Sequence, residues 1–276
     1  MRLTRRLAGL GLALTVSLGL GLAQARAETP PNILVVATKI DDIVSLDPQE
    51  SFEFSGSDIL NNMYGSLVSF DPADLSQGYV GDIAEAWEVS EDGTVFTFTI
   101  REGLTFHSGN PITAKDVEFS LRRAIAMQKT PSFILTQFGF TPENMEQTLV
   151  ATGEMTFQLT TDKKYAESFV LNCLTATIAY IVDSEVVAAE AIDGDYGNGW
   201  LRTNSAGSGA YKLVNWKANE SYTLEANPDF WRGAPGMRRV IVRHIEESAT
   251  QRLLLENGDI DIARNLNPED IAAVSA

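Results

Sequence analysis

Cysteine is all but missing: Cys173 is the only one in 276 residues. It cannot close an internal disulfide, and within the apolar run Phe169-Val170-Leu171-Asn172-Cys173-Leu174 it reads as a buried structural thiol. Histidine is nearly as scarce, at His107 and His244 only. Two separated histidines and one cysteine do not make a zinc ligand set. His107 falls in a Gly-flanked loop and His244 in an alternating strand pattern, so both read as structural. No nucleophile elbow, Walker loop or paired-histidine zinc motif occurs. No enzyme and no cofactor are expected. Positive charge is short as well, with 21 Lys and Arg against 37 Asp and Glu, a formal net charge of −16. That balance argues against nucleic acid or an anionic membrane surface as partners, and its plainest consequence is solubility.

Long apolar runs are absent except at the N-terminus. Arg2, Arg5 and Arg6 form a basic start, an apolar stretch follows to Ala23, and Ala23-Gln24-Ala25 and Ala25-Arg26-Ala27 offer small-x-small cleavage sites. This has the form of a secretory signal peptide over residues 1–27, cleaved near Ala25 or Ala27. The run is short and Gly-rich for a membrane span. Thr4-Arg5-Arg6-Leu7 touches the twin-arginine pattern, which leaves the export route open. Setting residues 1–27 aside removes four arginines and no acid, so the remainder carries about −20. No cysteine stands at the cleavage site for lipid attachment, so the expected location is free in a periplasm.

What is present is strong local patterning. An apolar strand is expected over residues 32–37, followed by a turn at Leu46-Asp47-Pro48 and a polar, aromatic loop over 49–57. A helix is expected from Asp58, with Ile59, Leu60, Met63 and Leu67 on one face. Residues 83–124 are the most tightly specified. Trp87 opens one short strand, Val95 to Ile100 alternates as a second, and Gly93 supplies φ > 0 in the turn between them. Thr113 and Asp116 form a capping box for the next helix, with Ile112 and Val117 placed as a hydrophobic staple. A hairpin is expected over 147–160 and a short helix after Asp183-Ser184. The Gly- and Asp-rich loop 193–199 lacks the ligand alternation of a calcium loop. Gly207-Ser208-Gly209 turns into strands at 211–216 and 221–226, with no helix behind it to make a phosphate site. A β-α-β unit follows, with strand 239–245, a helix capped by Ser248, Gly258 as C-cap and strand 259–263, and Asn267-Pro268 begins another helix.

These residues carry a family resemblance. Ile83-Ala84-Glu85-x-Trp87, Ser90-x-Asp92-Gly93-x-x-Phe96-Thr97-Phe98, Arg101-x-Gly103-x-x-Phe106-His107-x-Gly109 and Thr113-Ala114-x-Asp116-Val117-x-Phe119-Ser120 stand in unbroken register. Together they resemble the signature of the family 5 bacterial extracellular solute-binding proteins, the peptide-, nickel- and opine-binding components of ABC importers. Gly207-Ser208-Gly209-x-Tyr211-x-Leu213, Asn227-x-Asp229-Phe230-Trp231 and Gly258-x-Ile260-Asp261 extend the match.

The resemblance implies an α/β fold, a periplasmic-binding-protein type II-like lobe with an inserted α+β domain. Residues 28–72 and 194–276 would form the discontinuous first lobe and residues 73–193 the insertion. Family members are about twice as long, so the chain resembles their N-terminal half, with the second lobe missing. The implied function is a receptor that captures a peptide or peptide-like solute and delivers it to an ABC-type permease subunit, acting as a monomer without catalysis. In the resemblance the loop after Asp47-Pro48 faces the cleft of the first lobe. Ser51, Phe52, Glu53 and Phe54 are therefore the first candidates for ligand contact, Glu53 for a cationic group and the two rings for apolar ones. Trp200, Asn204 and Ser205, where the insertion returns to the first lobe, come second. The alternatives on the same fold are a periplasmic hydrolase and an interaction protein without transport.

Overall fold

The computed structural model describes residues 29–71 and 73–275; the signal-peptide reading over residues 1–27 lies outside the described residues. Strand β1, Ile33–Thr38, is the apolar run expected from the sequence. The chain then winds through residues 39–53 into helix α1, Phe54–Met63. This helix starts four residues earlier than its apolar periodicity indicates. Its Ser-Gly-Ser first turn has loop-like composition, but tertiary contacts hold it in helical form. The Asp42 carboxylate accepts the Ser55 N–H at 3.4 Å, and a Cβ on Gly56 would lie 2.3 Å from Ser51 Oγ.

Strands β2, Val68–Phe70, and β3, Tyr79–Gly81, pair as a short ribbon. Strands β4, Ala84–Val89, and β5, Val95–Ile100, form the expected hairpin, with Gly93 at φ 74°. Helix α2 spans Ala114–Met127 with the capping box in place: Asp116 Oδ2 accepts the Thr113 N–H at 2.9 Å, and Thr113 Oγ1 accepts from Lys115 N at 3.3 Å. Thr113→Ala removes one arm of the box and is expected to cost about 1 kcal/mol, readable as a lower urea midpoint.

Short helices α3, Phe133–Thr136, and α4, Met145–Thr148, precede the hairpin of β6, Leu149–Gly153, and β7, Thr156–Thr160. Helices α5, Glu167–Leu174, α6, Ser184–Ala189, and α7, Asn198–Leu201, lead back to β8, Tyr211–Lys217, and β9, Ser221–Ala226. The final unit is β10, Arg239–His244, α8, Ser248–Asn257, β11, Ile262–Ala263, and α9, Pro268–Val274. Ser248 is not the cap expected of it. Glu247 holds that position without a side-chain bond, and the Ser248 hydroxyl bonds to Asp270 on α9 instead. Strand β11 is also shorter than its sequence pattern, because the Asp259 N–H returns to Leu254 O at the helix end.

The strands make two main sheets, a mixed five-stranded one in order β11-β1-β10-β9-β8 and an antiparallel four-stranded one in order β4-β5-β7-β6. In the first, β1 runs parallel to both β10 and β11, as a β-α-β connection requires. Each sheet has its own core. Phe96, Phe98, Phe157 and Leu159 pack with Val117 and Leu121 of α2 in the four-stranded unit. Val36, Ile59, Leu60, Leu224 and Val242 pack together in the five-stranded unit.

Candidate ligand-facing edge

Parallel strands present their carboxyl ends to one edge of a sheet, and ligands of open α/β sheets bind there. In this chain that edge is formed by Thr38, the 39–55 segment and the residues after β11. Asn265 joins the two sides, its Oδ1 accepting from Thr38 Oγ1 at 2.9 Å and Lys39 N at 2.8 Å. Arg264 pairs with Asp58 across α1. A pocket of about 380 Å³ opens here between Lys39, Asp41, Asp42, Phe54 and Arg264. Phe54 leaves its ring 94% exposed at the start of α1.

The sequence candidates fall into two groups. Ser51 is buried and donates to Glu53 Oε2 at 3.1 Å, and the same oxygen accepts the Phe52 N–H at 3.0 Å. Glu53 is thus turned back onto its own loop. Phe52 is half-exposed and meets the edge of Phe133 with ring centroids 5.7 Å apart. Phe133 was not among the sequence candidates. It opens the short helix α3 just after Pro131, and only the fold brings it beside Phe52. Trp200, Asn204 and Ser205 do not join this cluster through any described contact. Trp200 packs on the five-stranded unit's core, Asn204 donates to Trp200 O at 2.9 Å, and Ser205 is half-buried.

A larger cavity, about 440 Å³, lies at the seam between the two units. Its polar groups hold one another. Arg232 reaches Asp82 at 3.2 Å and Ser69 Oγ at 3.0 Å, while Ser66 N donates to Asp82 at 3.0 Å. Burial pushes the Asp82 carboxyl up, and the Arg232 charge opposes the rise. Arg101 and Arg232 both lie over the Trp231 ring, 4.4 and 4.7 Å from its centroid. This is a joint between signature motifs. Among the described residues no group of three or more His, Cys, Asp or Glu side chains is placed to hold a metal ion. In the 193–199 loop, the Asp195 carboxylate accepts three backbone N–H groups, from Ile192, Gly197 and Gly199.

His107 belongs to the same seam. Its ring bonds Gly209 O through Nε2 at 2.9 Å, and its backbone N–H bonds Gly207 O at 2.8 Å. Burial lowers its pKa to about 4, against an ordinary value of 6.5. Between those values the unfolded chain binds the proton and the folded chain does not, so stability falls as pH drops from 6.5 towards 4. The loss is on the order of 2–3 kcal/mol. His107→Gln keeps a donor for Gly209 and should flatten that part of the curve, checked by urea midpoints at several pH values.

The comparisons with known proteins fit this architecture. The family model described as bacterial extracellular solute-binding proteins, family 5 Middle, matches residues 78–276. The probable D,D-dipeptide-binding periplasmic protein of Escherichia coli is 30% identical over 250 residues, covering 90% of this chain and 46% of that protein. The chain belongs to family 5 of the bacterial extracellular solute-binding proteins. Its family is one of transport receptors and not of enzymes.

Two solved family 5 structures share the fold. The periplasmic binding protein DppA of Helicobacter pylori, in complex with the peptide STSA, superposes with a TM-score of 0.72 at 24% identity, covering 87% of this chain and 48% of that one. NikZ of Campylobacter jejuni, in complex with Ni(L-His), gives 0.73 at 24%, covering 90% and 46%. At that identity the likeness speaks for the fold alone. The chain spans about half the length of the family 5 relatives it matches. Among the described residues no helix is long and apolar enough to cross a membrane.

Proposed function

We propose that the protein is a periplasmic solute-binding receptor that captures a peptide or peptide-like solute and hands it to an ABC-type membrane permease, without chemistry on the solute. The observation that carries this is family membership together with 30% identity to a D,D-dipeptide-binding relative. The form of residues 1–27 and the periplasmic relative support export with cleavage of a leader. Two separate cores support a first lobe with an inserted domain. Against the division of 28–72 and 194–276 from 73–193, Leu67 and Val68 pack in the four-stranded core and Tyr180, Val182 and Val187 in the five-stranded one, so both boundaries fall before residues 73 and 193. In this reading the cleft wall is the carboxyl edge of the parallel strands. Phe52 and Phe54, with Phe133 behind Phe52, supply apolar contact, while Asp41 and Asp42 offer negative charge to a ligand's amino group. Trp200, Asn204 and Ser205 have the weaker place, since Trp200 packs on the five-stranded unit's core, Asn204 bonds Trp200 O and Ser205 is half-buried with no described contact to either ring.

The test is a thermal-shift series on the full-length protein with D-alanyl-D-alanine, tri-L-alanine, nickel-histidine and heme. A peptide at about 100 times its Kd stabilises by about 2.7 kcal/mol, so its midpoint should rise by several degrees. A rise with nickel-histidine or heme alone would overturn the peptide assignment, and peptide turnover seen by mass spectrometry would overturn the receptor. With the responding peptide, Phe52→Ala and Phe54→Ala should each weaken binding by about ten-fold, the loss of roughly 1–2 kcal/mol of apolar contact, measured by calorimetry.

A further inference from the structure

The turn leading into Phe52 is gripped by the other structural unit. Arg123, on α2, is buried among apolar helix neighbours. Its guanidinium donates to both Asp47 oxygens, Nη1 to Oδ1 at 2.8 Å and Nη2 to Oδ2 at 2.6 Å. It also donates to Gln49 Oε1 at 2.5 Å and, through Nε, to Tyr196 O at 2.7 Å. Gln49 in turn donates to Ile178 O and Tyr180 O at 3.2 and 2.9 Å. Glu50 meets Lys129 at 3.1 Å.

Asp47, Gln49 and Glu50 are therefore all held by residues that follow α1 and β2 in the chain. They stand immediately before Ser51, the base of the segment that carries the two exposed rings. A buried ion pair adds little net stability over a well-packed apolar pair, so energy alone does not explain a planar fork placed here. What the fork supplies is a single register for the turn. Its two parallel bonds to Asp47 and third to Gln49 fix the turn in position and rotation, and Ser51 N repeats the constraint on Asp47 O at 2.8 Å.

We propose that Arg123 is a positioning residue: from α2 it presets the 51–54 segment, so that Phe52 and Phe54 meet a solute already in place. The four-stranded unit thereby takes part in recognition as a bracket. The inference rests on the receptor reading above, because it takes the 51–54 segment as the ligand-facing one.

The test compares Arg123→Lys and Arg123→Met with wild type in the full-length protein, below the unfolding transition of each. Hydrogen exchange at the amides of residues 51–57 should speed up by about ten-fold, more in Arg123→Met than in Arg123→Lys, while α8 keeps its wild-type rates. Affinity for D-alanyl-D-alanine or tri-L-alanine, whichever binds, should fall by about ten-fold as ordering of the loop is charged to binding. Phe98→Leu, a core variant remote from this turn, should leave both readouts unchanged at matched stability. Should Arg123→Met fail to fold, Arg123→Lys keeps the charge and carries the same comparison. Unchanged exchange at 51–57 in folded variants would overturn the inference. Binding of neither peptide by wild type would instead count against the peptide reading, and the exchange result alone then decides the role of Arg123.

Discussion

Asp47→Ala is expected to lower the unfolding free energy by about 3–5 kcal/mol, a loss readable as the shift in urea midpoint of the full-length protein. The carboxylate is fully buried and accepts from Gln49 N, both terminal nitrogens of Arg123 and Asn198 Nδ2. Removing it leaves the Arg123 charge inside the protein with Gln49 Oε1 and Tyr196 O as its bonded acceptors. Desolvation of that charge, more than loss of any one bond, sets the size of the effect. The pairing therefore makes a sharper prediction than the single substitution. Asp47→Leu combined with Arg123→Met removes both charges, and the double variant should recover much of the loss. If the double variant were as damaged as Asp47→Ala, the cost would come from shape and not from the stranded charge.

Much of this architecture could be read from the sequence because it is written in local rules. The Gly93 turn, the Thr113–Asp116 box and the Gly258 cap are short-range devices whose residue types and spacing allow few other backbones. Alternation at Phe96, Phe98 and Ile100 marks one face of a sheet, and all three are buried. Where the fold departs from local pattern, a distant partner decides the outcome. Helix α1 begins at Phe54 because Asp42 accepts the Ser55 N–H and Lys39 O accepts the Ser55 hydroxyl, which supports a Ser-Gly-Ser turn that has no helical periodicity. Ser248 gives up its capping role to bond Asp270.

The candidate site was less legible for the same reason. Phe52 and Phe54 stand out as aromatics in a polar loop, yet nothing nearby in sequence announces Phe133, 81 positions after Phe52, as the ring beside it. Glu53 reads from sequence as a group for a cation, and nothing in the sequence announces that its Oε2 accepts from Ser51 Oγ and Phe52 N. Arg123 reads from sequence as one of the charges around the apolar face of a helix. Only the fold shows it inside the protein, bonded to a turn more than seventy positions earlier.

Gly207→Ala should be almost as damaging as Asp47→Ala, at about 3 kcal/mol, and for a purely steric reason. A Cβ at Gly207 would stand 2.0 Å from Met63 O and 2.9 Å from Met63 C, both backbone atoms that no rotamer change can move aside. At this point the Gly207-Ser208-Gly209 turn closes the end of α1, with Gly209 N donating to Met63 O at 2.8 Å. His107 then locks the turn from the other unit through Gly207 O and Gly209 O. Pushing the turn off α1 therefore disturbs the capped helix end and the seam together. Gly236→Ala is the matched control, since a Cβ there would have no atom within 4 Å and the Gly236 φ is not positive. That change should be neutral or stabilising by up to about 1 kcal/mol through the unfolded chain. Equal midpoint shifts in the two variants would mean that the signature glycines are there for turn flexibility. A large loss at Gly207 alone would mean that the glycine is there so that two backbones can touch, which makes the motif the mark of a seam.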